Sequence, residues 1–264
     1  MLLARYAPVG SQRYEKLTQR VKSFDRIIEW LPPQLFGIWS IFVAGIALGK
    51  AQIDRFYFWD WNDWLIGVIG IIAIALLFRI IKNKFKIFPY SDGEISLKSR
   101  GFHLFMPIFV SYLGYLLVAG FGSMVHAEIY VLPYLAIYLF HTIKIDNSKN
   151  SISSESKKHI KSMTSIILLI IAVVIGLIFD DPVLSTASLV SLPFLIVLLF
   201  GKHLRHLERA KFYPIFIFSM FVASREGWFL IPLMLLFFIL RSYNYLRFQK
   251  VYPTFGVTND DASN

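Results

Sequence analysis

The sequence predicts an all-α fold, a polytopic transmembrane bundle of about eight helices in four hairpins with the N- and C-termini cytoplasmic. Three observations predict it. Of the 264 residues, 56% are apolar and 17% aromatic, and the mean hydropathy is +0.58. Apolar runs recur along almost the whole chain, several of them near the ~20 residues that a helix needs to cross ~30 Å of hydrocarbon. The charges alternate between the gaps that separate those runs: 24 of the 27 lysines and arginines fall in every second gap and 3 in the others. Cytoplasmic loops carry the Lys/Arg excess of membrane proteins, so the alternation both orients the chain and supports the helix count.

Residues 1–29 read as a charged cytoplasmic segment with Arg5, Arg13, Lys16, Arg20, Lys22 and Arg26. That segment lacks the apolar stretch of a cleavable signal peptide, so insertion falls to the first internal helix. Residues 30–250 form the transmembrane domain. Its apolar runs are Leu31–Gly49, Trp64–Ile81, His103–Val125, Ile129–Ile143, Ile160–Phe179, Leu184–Gly201, Phe212–Ser224 and Trp228–Leu246. The fourth and seventh are short and must tilt or recruit flanking residues.

Between the first two runs lies the aromatic stretch from Phe56 to Trp64, suited to the headgroup level. The gap after the second run holds Arg79, Lys82, Lys84, Lys86, Lys98 and Arg100, with Ser96 as an N-cap for the next helix. Lys144, Lys149, Lys157, Lys158 and Lys161 follow the fourth run, around the serine-rich tether Asn147–Ser156. Lys202, Arg205, Arg209 and Lys211 follow the sixth, and Arg241, Arg247 and Lys250 close the basic series before the cytoplasmic tail 251–264. On the opposite side, Gly122-Ser123, Asp180-Asp181-Pro182 and Ser224-Arg225-Glu226-Gly227 have turn chemistry. Only Lys50, Arg55 and Arg225 are basic there.

Several function classes are excluded or disfavoured by what is missing. Without cysteine there is no disulfide, thiolate metal site or cysteine nucleophile. No Asp, Glu, Lys or Arg stands in the middle of an apolar run, which argues against ion-coupled transport, proton pumping and voltage sensing. His103, His126 and His141 lie near run ends on mixed sides, which disfavours haem ligation between helices. The net charge of +10 is absorbed by membrane orientation and anionic headgroups, so no nucleic acid is expected as a partner.

Polar residues gather at the cytoplasmic ends. Arg forks a phosphate with two charge-assisted hydrogen bonds and Lys supplies a point charge, so Arg79, Lys82, Lys202 and Arg205 are the candidates for holding a lipid phosphate. Asp92, Glu94, His203, His206 and Glu208 are the accompanying polar candidates. His203 and His206 share one side of a helix, but Glu208 is the only carboxylate near them, so the run reads as a solvated helix end and no metal ligands are assigned.

The stretch Pro89-Tyr90-Ser91-Asp92-Gly93-Glu94-Ile95-Ser96-Leu97-Lys98-Ser99 resembles the segment after the first aspartate motif in the UbiA superfamily of membrane prenyltransferases. The layout is similar too: a cytoplasmic N-terminus, helix pairs, and cytoplasmic loops after helices 2 and 6. The resemblance implies an isoprenoid diphosphate substrate and Mg²⁺ held by two aspartate-rich motifs. At the first motif position stand Leu76-Leu77-Phe78-Arg79-Ile80-Ile81-Lys82-Asn83, without a carboxylate. At the second stand Lys202-His203-Leu204-Arg205-His206-Leu207-Glu208-Arg209, with one.

The sequence therefore predicts a multi-pass protein of a plasma (inner) membrane. Its expected role is binding, with transfer as a further option, of an isoprenoid or other lipid phosphate at the cytoplasmic face. The alternative is a non-catalytic membrane scaffold or complex subunit. Mg²⁺ is expected only with the prenyltransferase activity, and oligomeric state is left open.

Overall fold

The computed structural model describes residues 2–30, 35–54, 56–81, 97–120, 131–143, 145–146, 151–152, 155–201, 204–249 and 251. They form ten α-helices: α1 Leu2–Tyr6, α2 Gln12–Trp30, α3 Leu35–Ile53, α4 Trp64–Ile81, α5 Leu97–Ala119, α6 Val131–His141, α7 Glu155–Ile178, α8 Pro182–Phe200, α9 Leu204–Arg225 and α10 Leu230–Phe248. Besides these there is a 3-10 turn at Gly227–Phe229 and a two-residue antiparallel ladder in which Ile145 pairs with Ile152 and Asp146 with Ser151. The fold is all-helical, as the apolar runs require. Among the described residues, four stretches are long and apolar enough to cross a membrane: Leu35–Ile53, Lys157–Ile178, Pro182–Phe200 and Gly227–Phe248.

Each apolar run carries a helix, yet several boundaries moved. The seventh run, short in sequence, sits inside the 22-residue α9, which starts eight positions upstream of Phe212. The charged stretch Leu204–Lys211 is helical because one of its faces is packed: Leu207, Glu208 and Ala210 are buried. The charged segment before the first run also holds helices. Tyr14, Leu17, Thr18, Val21 and Asp25 recur at helical spacing along α2 and turn inward, while Arg13, Lys16, Arg20 and Lys22 stay exposed.

The α1–α2 hairpin is held against the C-terminal end of α10. The last four carbonyls of a helix have no intrahelical partner, and here α2 supplies donors. The Tyr14 hydroxyl lies 3.3 Å from the Tyr245 carbonyl and 3.1 Å from that of Leu246, which also accepts from Thr18 Oγ1 at 3.2 Å. Tyr245 donates back to the Ala7 carbonyl at 2.7 Å, and Asp25 accepts from Tyr243 and pairs with Arg247. A buried hydrogen bond contributes about 0.5–1.5 kcal/mol. Tyr14→Phe is therefore expected to cost about that much and to speed proteolysis within α2; limited digestion beside the wild type checks it.

One core cluster gathers α3, α4, α5, α9 and α10 with Ala172 of α7 and Val183, Leu184 and Ala187 of α8, and has Trp39, Phe42, Phe78, Phe212, Phe216, Trp228 and Phe229 among its members. A second joins α6, α7, α8 and α9 through Ala136, Leu169, Leu195, Leu198, Leu207 and Ala210. Helices α7, α8 and α9 belong to both. Helices α3 and α5 pack along most of their length because small residues face each other. Gly45 and Gly49 of α3, four residues apart, meet Ser111 and Tyr115 of α5, while Gly114 of α5 meets the Phe42 carbonyl. Helix α4 rests on α3 where Trp39 Nε1 donates to the Gly67 carbonyl at 2.9 Å and the Phe42 ring covers Gly70.

The turn between α7 and α8 has sharp local chemistry. Asp180 takes a positive φ of 53°, and Asp181 Oδ1 accepts from the amides of Val183 and Leu184 at 2.9 and 3.1 Å, capping α8 ahead of Pro182. Outward, α7, α8 and α10 expose large apolar side chains, including Val174, Leu177, Leu189, Val197, Leu235 and Phe238. A continuous apolar exterior of this kind is unusual for a protein surrounded by water.

Candidate functional site

Of the sequence-predicted phosphate candidates, Lys82 and Lys202 lie outside the described residues, as do Asp92, Glu94 and His203. Arg205 lies on the first turn of α9, and its side chain is not among those described. Arg79 is exposed at the end of α4, which packs on α3 and has no extensive contact with α9. The expected meeting of Arg79 with the start of α9 is not among the helix packings of the described residues.

The start of α9 is not a solvated helix end. His206 is half-buried and Glu208 is 5% exposed. The reason is the helical extension of α9, which turns Glu208 and Leu207 toward α6, α7 and α8. Lysines of α7 and α9 border this part of the helix. Lys158 Nζ, 1% exposed as a residue, donates to the Gly201 carbonyl at the end of α8 at 3.0 Å. Lys161 Nζ lies 2.7 Å from both the carbonyl and the hydroxyl of Thr142, just past α6. Cations at helix C-termini are favoured by the carbonyls and the macrodipole.

Lys211, which precedes the apolar run of α9, lies in electrostatic range of Glu208 and Lys161. Burial pushes its ammonium down to about 8, with Glu208 opposing that shift and Lys161 reinforcing it. Two serines complete the polar face of α7. Ser165 donates to the carbonyls of Ala136 and Lys161, and the buried Ser162 hydroxyl finds no hydrogen-bond partner among the described residues. Lys158 and Ser162 are four apart, as are Lys161 and Ser165, and that spacing puts each pair on one side of the helix. The spacing was visible in the sequence. Reading these lysines only as positive-inside charges hid it.

A second polar constellation sits at the opposite ends of the helices. Lys50, in the last turn of α3, reaches Asp60 at 2.8 Å, Asp63 at 3.3 Å and Glu226 at 3.1 Å. Glu226 is 0% exposed, and its Oε2 accepts from both Lys50 Nζ at 3.1 Å and Trp228 Nε1 at 2.9 Å. The aromatic loop is stitched to the same place: the amides of Trp59 and Asp60 donate to the carbonyls of Ser224 and Arg225 at 3.0 and 2.9 Å, and Gly227 donates to the Asp60 carbonyl at 2.7 Å. These bonds satisfy the C-terminal carbonyls of α9. The loop still exposes Phe56, Phe58, Trp59, Trp61 and Trp64, while Tyr57 turns inward with its hydroxyl on the Ala47 carbonyl at 2.7 Å.

Burial raises the Glu226 carboxyl above its ordinary range, with Lys50 and Trp228 pulling against it. Burial acts the same way on Asp60, but there the hydrogen bonds from Lys50 and Asn62 prevail and hold it low. Burial also raises the Tyr57 phenol, with Glu226 adding to the effect. In sequence, Ser224-Arg225-Glu226-Gly227 read as an outer turn; it is folded under the tryptophan loop, where Lys50 pairs with the buried Glu226.

Among the described residues no group of three or more His, Cys, Asp or Glu side chains is arranged to hold a metal ion. Fold and polar ends together define an all-helical protein with four helices, among the described residues, long and apolar enough to cross a membrane. Compared with protein-family models, curated proteins and solved structures, the chain matches none.

Proposed function

We propose that the chain is an integral membrane protein of the UbiA-like kind, its basic ends cytoplasmic, that holds the phosphate of an isoprenoid or other lipid where α6, α7, α8 and α9 meet. The observation that carries this reading is the polar side of α7, where Lys158, Lys161, Ser162 and Ser165 fall at helical spacing, with Lys211 of α9 in electrostatic range of Lys161 and of the carboxylate Glu208, and with the buried Ser162 hydroxyl lacking a partner among the described residues. Ammonium groups and a hydroxyl are donors for phosphate oxygens. The apolar outer faces of α7 and α8 give the lipid chain a surface to lie on. This donor set supports binding; transfer through Mg²⁺ would call on carboxylates. The scaffold reading has its own support, because Lys158 and Lys161 already cap the ends of α8 and α6.

Binding of a fluorescent isoprenyl phosphate to the purified protein, with the matching alcohol as control, separates the two. The phosphate is expected to bind at least ~10-fold more tightly than the alcohol, since each charge-assisted hydrogen bond contributes about 1.5–3 kcal/mol. For the same reason Lys161→Met and Lys211→Met are each expected to weaken it about tenfold. Affinity should fall as pH rises through about 8, because Lys211 then loses the charge that attracts the anion. A bound phosphate favours the charged amine, so the midpoint should move upward in the complex. Equal binding of phosphate and alcohol, or variants that bind like the wild type, would leave the scaffold reading standing.

A further inference from the structure

We infer that the α1–α2 hairpin is an interfacial anchor that inserts into the anionic leaflet bordering the basic end of the bundle. The inference rests on the membrane-spanning reading of α10. A stretch of 22 residues, Gly227–Phe248, is long enough to cross the hydrocarbon, and its far end lies at the headgroup level. The hairpin is fastened to that end through Tyr14, Thr18 and Tyr245. Its depth is thereby set by the span itself.

What the hairpin presents at that depth is amphipathic. Leu2 is 84% exposed, Tyr6 62% and Val9 52%, an apolar tip open on its outer side. Beside the tip stand the exposed Arg5, Arg13 and Lys16, with Arg13 over the Tyr6 ring at 4.9 Å. Further along the exposed face of α2 come Arg20 and Lys22, and Glu15 is the one exposed carboxylate in Gln12–Lys22. Apolar side chains that enter the acyl boundary, ringed by cations that meet headgroups, are the composition of an interfacial anchor. Juxtamembrane cations of this kind select anionic lipid. The inward face of α2 is already used on α10, so the occupant meets the tip and the cations only.

The cysteine-free chain makes the test direct. Val9→Cys, labelled with an environment-sensitive fluorophore, is placed in the full-length protein in nanodiscs of phosphatidylcholine alone or with phosphatidylglycerol. The expected result is a blue-shifted emission and several-fold protection from aqueous iodide in the phosphatidylglycerol discs, lost when Arg5, Arg13 and Lys16 are replaced by Gln. A Leu235→Cys label on the outer face of α10 controls for the span. Iodide access at Val9 that is complete in both discs, with Leu235 protected, overturns the anchor alone. Iodide access at Leu235 overturns the membrane reading beneath it. Protection at Val9 that ignores both phosphatidylglycerol and the Gln substitutions overturns the choice of an anionic leaflet.

Discussion

Lys50→Met is expected to destabilise the protein by about 3–5 kcal/mol, the range found when one partner of a buried ion pair is removed. Lys50 is the cation that Asp60, Asp63 and Glu226 share, and its side chain is only 11% exposed. Without it, Glu226 is left as a charge at 0% exposure, its remaining bond the one from Trp228. The cost should depend on pH in a defined direction. Glu226 is raised in the folded protein, so the folded state takes up a proton before the unfolded chain does, and acidification relieves the variant. Asp60 has the opposite sign in the wild type: it is held low, so its stabilisation is present above the ordinary carboxylate range and is lost as pH falls through its depressed value. The gap between variant and wild type should therefore narrow from pH 8 to pH 5. Thermal unfolding in detergent at several pH values measures it. A constant gap would mean that Lys50 contributes packing and little charge. The double variant Lys50→Met, Glu226→Leu should recover most of the loss, since an apolar pair replaces a buried ionic one at little cost.

Gly45→Leu should come close to that effect, at about 3 kcal/mol, the upper end for overpacking a tight contact. A Cβ at Gly45 would stand 2.0 Å from the Ser111 carbonyl oxygen, and one at Gly114 would stand 2.1 Å from that of Phe42. Both obstacles are backbone, so no side chain can swing aside. Helices α3 and α5 would have to separate, opening the core around Phe42 and Val110. Gly114→Leu should act alike, whereas Gly101→Ala, with nothing within 4 Å of the added carbon, should stabilise α5 by up to about 1 kcal/mol through helix propensity. The three melting temperatures, read side by side, distinguish close approach from a general intolerance of side chains at glycine. Equal losses at Gly45 and Gly101 would sink the close-approach account.

The helices themselves were legible because apolar runs of this length announce them, and capping chemistry such as Asp181-Pro182 marks a start without any tertiary knowledge. The Gly45–Gly49 spacing was also readable, but its partner on α5 was not. Counting Lys158, Lys161 and Lys211 as orienting charges left no reason to place them in a shared interior. The same tally set Lys50 and Arg225 among the few basic residues of the opposite side and Arg225-Glu226 in a turn, with no pairing between them. Charge tallies carry no information about which side of a helix a residue occupies, and side is what burial depends on. The start of α9 shows this most clearly: Leu204–Lys211 is polar on average, yet its periodicity buries Leu207, Glu208 and Ala210. Helix α2 was missed similarly, its mean polarity concealing the inward row from Tyr14 to Asp25.

The alternation of basic and acidic gaps and the apolar runs are properties of local composition, so they determined the helical class without reference to any contact. Which charges share an interior depends on pairs far apart in the chain, such as Lys50 with Glu226 or Lys161 with Thr142. Those pairs exist only once α3 lies beside α9 and α6 beside α7. Tertiary structure decided them because a buried charge is tolerated only where packing brings it a partner, and sequence neighbours could not supply one.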